Sequence, residues 1–502
     1  MKAVAVAFSI AWRGADVEPA GGAVAGTREA LERLGTFRGE LYKCLTKRAD
    51  ALFELAEATL CADGPVRTLA GLSLAPEHRR GHGALYDAVN AGRIEIGRLR
   101  RAVAGLPLPR AADDRLMLAV DVSNWLRPDA ATSPERLFCH TYGRGKGQAQ
   151  MIPGWPYSVV AALEPGRTSW TAVLDAVRLG PADNETDVTA AQVREVVTRL
   201  IAAGQHKEGD PDILVVFDAG YDVTRLAFLL TDLPVELLGR LRSDRVLYFP
   251  AAPRAPGANG RPSRHGHELK LAEPGTWPDP PVTTVTQTTR YGTAVAQSWD
   301  RLHPRLTSRA AWQDHDGELP VIDGTLIRLQ VDHLPGDRDP KPVWLWWSAT
   351  GATPADVDRC WQAFLRRFDI EHTFRLFKQV LGWTAPKICD PAAADRWTWL
   401  IIACHAQLRL ARPLALAADL RRPWERPAPP RRAGSPRRGC GGGSGTSARR
   451  SLARSAHRNP ASPAPAARPA RRTAGQPHVT TSASTARPAW RARKRVKRQA
   501  KA

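Results

Sequence analysis

The sequence predicts an α/β core with a β-rich insertion, preceded by a mostly helical segment and followed by a basic tail. Three observations lead to this. Apolar strand-like runs end at Asp121 (Leu116 to Asp121) and at Asp218 (Ile213 to Asp218). One helical run lies between them, and another, Phe364 to Lys378, carries Glu371. The stretch from Asp218 to Glu371 is far longer than the helix and strand needed to reach a third carboxylate, and much of it is β-like.

Residues 1–110 read as a helical N-terminal domain, because Thr27 to Leu34, Phe37 to Cys61 and Leu85 to Val103 place apolar residues three and four apart. The basic residues among them (Arg79, Arg80, Arg93, Arg98, Arg100, Arg101) fit solvated helix faces and equally fit a DNA-contacting domain. The apolar start, Ala3 to Trp12, is Ala-rich, short and closed by Arg13, which argues against a secretory signal. From residue 111 to 420 the pattern is that of the core. The run ending at Asp121 is followed by Leu137 to Tyr142, Tyr157 to Leu163 and Ser169 to Leu179, separated by Gly/Pro turns. Thr189-x-x-Gln192 reads as a capping box opening a helix that stops near Gly204, and the strand ending at Asp218 comes next. A ribonuclease-H-like core begins with three strands, a helix and a strand, so one of the four β runs before the helix is expected to be a loop.

Beyond Asp218, Val282 to Thr288, Thr293 to Leu302, Leu326 to His333 and Val343 to Ser348 form the insertion, at about 240–350, with a Pro/Gly/Arg-rich loop from Ala251 to His267. Thr353-Pro354-x-Asp356 starts one long helix through Glu371, with Thr as N-cap and Pro in the first position. Asp390-Pro391 begins a further helix ending before Pro413. Residues 421–502 are dominated by Arg, Ala, Pro, Gly and Ser, cannot bury a core and should be disordered. A GC-rich gene read out of frame yields the same kind of text.

The formal net charge of +22 is unevenly placed: residues 421–502 hold 22 Lys/Arg and one acid, Glu425, leaving 50 basic and 49 acidic residues in 1–420. DNA affinity of the folded part must therefore come from local patches, while the tail can attract any polyanion. Seven cysteines are scattered with no C-x-x-C pair, which indicates neither zinc nor a disulfide framework and suits a reducing cytoplasm. No apolar run approaches the roughly 18 residues of a membrane span.

Two carboxylates on adjacent buried strands and one on a covering helix can hold a pair of Mg²⁺ ions, the arrangement that drives in-line attack on a phosphodiester. On the helix, Phe364, Arg367, Glu371 and Lys378 are three, four and seven residues apart and share a face. Alone, that spacing is most simply a surface ladder of ion pairs; the two upstream aspartates and Gly220-Tyr221 after Asp218 tilt the reading toward chemistry.

Phe364-x2-Arg367-x3-Glu371-x6-Lys378 resembles the Tyr/Arg/Glu/Lys signature of bacterial insertion-sequence transposases of the DDE type, with Phe in place of Tyr. Asp121-Val-Ser-Asn-Trp125 and Asp218-Ala-Gly220-Tyr221 look like that family's first two acidic motifs, and the similarity covers roughly 115–410. The resemblance implies a DNA transposase performing metal-dependent cleavage and strand transfer at its own element's ends. Asp121 would bridge two Mg²⁺ ions, replaceable by Mn²⁺, with Asp218 and Glu371 each completing one. Arg367 and Lys378 would grip phosphates. Its partners would be double-stranded DNA, as terminal inverted repeats and target, with a dimer on the paired ends, no membrane, and a cytoplasmic, nucleoid-associated place. The Phe364 departure removes a hydroxyl that could touch a phosphate. Two competing readings are a related metal-dependent nuclease and an inactive relic that only binds DNA.

Weaker candidates complete the set. Arg240 and Arg242 share a strand face one strand beyond Asp218 and can reach DNA; Lys146, in the flexible loop Gly143-Arg-Gly-Lys-Gly147, can follow a backbone. His265-Gly266-His267 has metal-like residues without further ligands nearby. Trp344, Trp346 and Trp347 read as packing, with Trp299 and Trp312 able to stack on a flipped base.

Overall fold

Alternating and β-branched runs gather into one ten-stranded sheet in the computed structural model, which describes residues 23–81, 83–142, 149–166, 168–253, 260–308, 312–313, 315–334 and 340–417. The signal-like start, Lys146 and the basic tail lie outside these residues. The chain begins with α1 (Ala23–Cys44), β1 (Leu45–Lys47), α2 (Ala49–Cys61), α3 (Leu69–Leu72), α4 (Gly83–Ala91), β2 (Arg93–Ile94) and α5 (Ile96–Ala104). The helix expected to run from Phe37 to Cys61 is interrupted at β1, where Arg48 adopts a left-handed conformation at φ 56°. The sheet strands of the core follow: β3 (Met117–Leu126), β4 (Leu137–Tyr142), β5 (Ala149–Leu163), β6 (Thr171–Arg178), then α6 (Glu185–Ala202), β7 (Ile213–Phe217), α7 (Val223–Leu229) and β8 (Val235–Leu241).

All four β runs before the helix are strands, against the expectation of one loop. The fifteen-residue β5 is long enough to carry β4 along its first part (Ala149 to Gly154) and β6 along its second (Tyr157 to Leu163). On its other edge β5 pairs antiparallel with β3, which lies parallel to β7, itself parallel to β8. The five residues of β7, Ile-Leu-Val-Val-Phe, are all buried, as expected for a parallel strand covered on both faces. Helix α6 starts at Glu185, capped by Asn184, whose side chain accepts from Thr186 and Asp187 N–H; Thr189 and Gln192, expected to form the cap, are buried one turn further in. Gln192 instead accepts a hydrogen bond from the Ser158 hydroxyl on the β5 strand beneath it (2.7 Å).

Beyond β8, four further strands extend this same sheet. After β9 (Val246–Pro250) and β10 (His265–Lys270), which form a two-stranded sheet of their own, come β11 (Val282–Thr288), β12 (Gly292–Leu302), β13 (Gly324–Val331) and β14 (Val343–Trp347). They pair in succession, and β14 docks antiparallel on β8. Trp344, Trp346 and Trp347 are buried here, their expected packing role; Trp299, expected to be able to stack on a base, is buried with them, and its indole N–H donates to Pro278 O (2.8 Å).

The expected long helix is two: α8 (Pro354–Arg366) and α9 (Asp369–Gln379). The Thr353 cap is a full capping box with Asp356, as read. The break at Arg367 and Phe368 has no proline or glycine to announce it. A final helix, α10 (Pro391–Ala417), continues through Pro413. Among the described residues, no helix is long and apolar enough to cross a membrane.

Strand alternation sorts the helices onto two faces. Tyr157 of β5 points to α10, donating to Asp395 (2.8 Å); Asp121, opposite Val159, shares that face. Ser158, and Asp175 opposite Val160, point the other way, Asp175 toward Arg100 of α5 and Arg199 of α6. The first helices are tied to α10 by Arg38, which bonds Glu57 (2.7 Å) and Gln407 (3.0 Å), and by Arg396, which donates to Val89 and Asn90 carbonyls. The hydrophobic core runs continuously from these helices into the sheet.

One buried titratable group in α10 makes stability pH-dependent. His405 stacks on Trp170 (5.7 Å between centroids) and meets the edge of Phe377, and burial pushes its imidazole down to about 3. Between an unfolded value near 6.5 and that folded value the unfolded chain binds one more proton, so stability is full above about pH 6.5 and falls by about 1.4 kcal/mol per unit on acidification. Urea unfolding at about pH 6.5 and about pH 4.5 should show His405→Phe losing about 2 kcal/mol less than the parent. Equal losses would assign the acid sensitivity elsewhere.

Candidate active site

Strand register brings the two aspartates together. Ala119 of β3 lies beside Val216 of β7 in the parallel ladder, so two residues further on Asp121 and Asp218 stand side by side. Asp218 follows the last residue of β7, as expected; Asp121 is not terminal, since β3 continues to Leu126. Asp121 accepts a hydrogen bond from Val122 N–H (2.8 Å).

Between them sits Arg367. Its Nη1 lies 2.9 Å from Asp121 Oδ2 and its Nη2 3.4 Å from Asp218 Oδ2, and the residue is only 2% exposed. The guanidinium also lies 4.7 Å from the centre of the Phe368 ring and 5.8 Å from that of Phe364. Phe364 is therefore a buried wall of the arginine's niche. The sequence gives Arg367 a phosphate; in the structure both Nη atoms face carboxylates, because the end of α8 delivers the side chain onto the middle of β3 and the end of β7.

Burial pushes the Asp121 carboxyl up to about 6; Arg367 and the Val122 N–H pull it back, and Asp218 and Glu371 push it further up. Tyr221, on the turn after Asp218, packs against Phe217 (5.2 Å), and its buried hydroxyl has no hydrogen-bond partner. Burial holds that phenol far above its ordinary value, helped by the negative charges of Asp121, Glu185 and Asp218. Glu185 had no signal in the sequence beyond an acid in a helix's first turn.

The other candidates are spread around this pair. Glu371 is exposed. Lys378 is half-buried with Nζ 5.7 Å from the Trp383 ring centre; burial lowers its ammonium, while Cys139 and Asp121 raise it. Arg240 is exposed on β8 with Nη1 3.8 Å from Asp218 Oδ1, and Arg242 pairs with Asp244 at 3.2 Å. His265 belongs to a separate chain of contacts, to His303 (3.0 Å) and on to Asp323 (2.8 Å). Trp312 is buried beneath Arg225 (4.5 Å).

A family model of the DDE superfamily endonucleases matches residues 40–305, more than half of the chain. The chain belongs to that family. No curated protein matches it. The matched span of this DDE endonuclease holds Asp121 and Asp218 and stops short of Glu371. Enzymes of the superfamily act on DNA and generally use divalent metal ions, and the two aspartates fit such an ion. Their Oδ2 atoms already converge on one cationic group, and Asp218 Oδ1 is buried without a hydrogen-bond partner. Glu371 does not close the set here: among the described residues, no three His, Cys, Asp or Glu side chains gather closely enough to hold a metal.

Proposed function

We propose that this DDE endonuclease is a transposase that cleaves DNA at the ends of its own insertion element and joins them to a target. The observation that carries the reading is the side-by-side placement of Asp121 and Asp218 on a shared cation position, with Glu371 one turn beyond Arg367. The strand order β6-β5-β3-β7-β8, three antiparallel and then parallel, supports a ribonuclease-H-like core around it.

Divalent ions, two Mg²⁺ with Mn²⁺ able to substitute, would supply an ionised nucleophile at neutral pH and charge neutralisation at the phosphodiester. The chain's own groups do the rest. Asp121 and Asp218 present carboxylate oxygens from rigid strands, and Glu371 offers a third from the exposed side of the helix junction. Arg240, exposed on β8 beside Asp218, and Arg242, just past the end of that strand, would hold the DNA backbone; Lys378 would neutralise a phosphate close to Asp121. Cutting two ends together calls for a dimer on DNA.

Strand transfer separates a transposase from a plain nuclease. Pre-cut DNA ending in the repeat that flanks the gene, mixed with supercoiled plasmid and Mg²⁺, should yield plasmid covalently joined to the end. Nicking without joining would leave a nuclease.

Sequence-independent attraction should come from the tail, which carries nearly all of the net charge. Removing residues beyond about 425 should leave cleavage competent and make the fall of log affinity with log salt on random duplex distinctly shallower, by about 0.9 for each phosphate that the tail had neutralised. An unchanged slope would place nonspecific binding in the folded part.

A further inference from the structure

Arg367 occupies the position where a metal would have to sit. Its two Nη atoms take one oxygen each from Asp121 and Asp218, it is shut off from solvent, and its Nε is buried without a partner. A guanidinium bridging two carboxylates supplies the positive charge that lets them stand together. The backbone at this point is also unusual. Ile370 N–H donates to Arg367 O (3.1 Å) and Glu371 N–H to Phe368 O (3.2 Å), both three residues back, so a tight 3₁₀ turn separates α8 from α9. Residues four apart on a regular helix share a face; across this turn Arg367 is buried and Glu371 is exposed.

Resting on the metal-site reading above, we propose that Arg367 is a resident cation that blocks metal loading until DNA is bound. The guanidinium and a divalent ion compete for the same two carboxylate oxygens. The arginine's other natural partner is a phosphate, which matches its planar fork. DNA would therefore draw Arg367 off the aspartates, freeing them for metal, and relaxation of the 3₁₀ turn toward regular helix would swing Glu371 to their side. Binding linkage makes the coupling mutual: DNA tightens metal, and metal tightens DNA by the same factor.

The test is Mn²⁺ affinity of the full-length protein, measured by calorimetry and by the loss of free Mn²⁺ resonance signal, with and without a cleavage-resistant duplex bearing phosphorothioates. The parent should bind Mn²⁺ weakly alone and about five- to a hundredfold more tightly with DNA. Arg367→Gln should bind Mn²⁺ tightly without DNA, and DNA should add little. Arg367→Lys, whose single ammonium cannot bridge both carboxylates, should fall between, and it serves if Arg367→Gln fails to fold. Variants that bind Mn²⁺ no more tightly than the parent would overturn the proposal and make Arg367 a support for the carboxylates. Failure of the parent to bind Mn²⁺ even with DNA, unaltered in Asp121→Asn, would instead overturn the metal-site reading.

Discussion

Asp121→Asn should lower DNA strand cleavage by about a thousandfold or more while leaving the protein at least as stable as the parent. The loss follows from replacing a charged ligand by a neutral amide of the same shape at the position that two metal ions would share. The stability claim follows from the carboxyl, which burial pushes up to about 6 despite Arg367. A folded value above the unfolded one means that ionisation works against folding. Stability contributed by this group is present below about pH 4, is lost as pH rises through about 6, and is absent at neutral pH. Neutral Asn, which keeps the side chain's shape and leaves Arg367 the Asp218 carboxylate, should therefore raise the melting temperature or leave it unchanged. An ion pair kept for structure would behave in the opposite way, costing about 3–5 kcal/mol when one partner is removed. Asp218→Asn and Glu371→Gln should match the activity loss. Cleavage near the parent level in either would remove that residue from the site.

Asp175→Ala should show the structural pattern. Asp175 is fully buried on the opposite face of the sheet, with Oδ1 2.9 Å from Arg100 Nε and Oδ2 2.6 Å from Arg199 Nη2. Burial raises this carboxyl and the two arginines pull it back. Arg100 comes from α5 and Arg199 from α6, so one carboxylate links the first helices, the sheet and the long helix before β7. Its removal leaves two largely buried guanidinium groups with only the exposed Glu195 carboxylate, 3.4 Å from Arg100 and 3.2 Å from Arg199, at a cost of about 3 kcal/mol. Asp232→Ala breaks only an exposed pair with Arg194, which water and salt screen, and should cost far less. Denaturant unfolding of both variants checks the contrast; equal costs would mean that Arg100 and Arg199 find water once Asp175 is gone.

What the sequence disclosed and what it hid follow from the range of the forces involved. The Thr353 cap and the strands β11 to β14 were legible because capping and alternation are local signals. Asp218 marked the end of its strand because the apolar run stops there. Thr189 and Gln192 imitate a cap by spacing alone, while Asn184 holds the real one. The α8–α9 break was hidden by an apolar periodicity that continues across it. The bridge from Arg367 to Asp121 spans 246 positions, and nothing local distinguishes an arginine aimed at carboxylates from one aimed at phosphate. The outward set of Glu371 depends on that same turn.

The most direct measurement is cleavage of a duplex containing the boundary between the gene's flanking repeat and neighbouring DNA, by the purified full-length protein, in Mg²⁺ and in EDTA. A metal-dependent nick at the repeat boundary that leaves a 3′-hydroxyl is expected. Retained binding to that duplex with no cleavage in Mg²⁺ or Mn²⁺ would contradict it and leave a DNA-binding relic whose aspartates are permanently neutralised by Arg367.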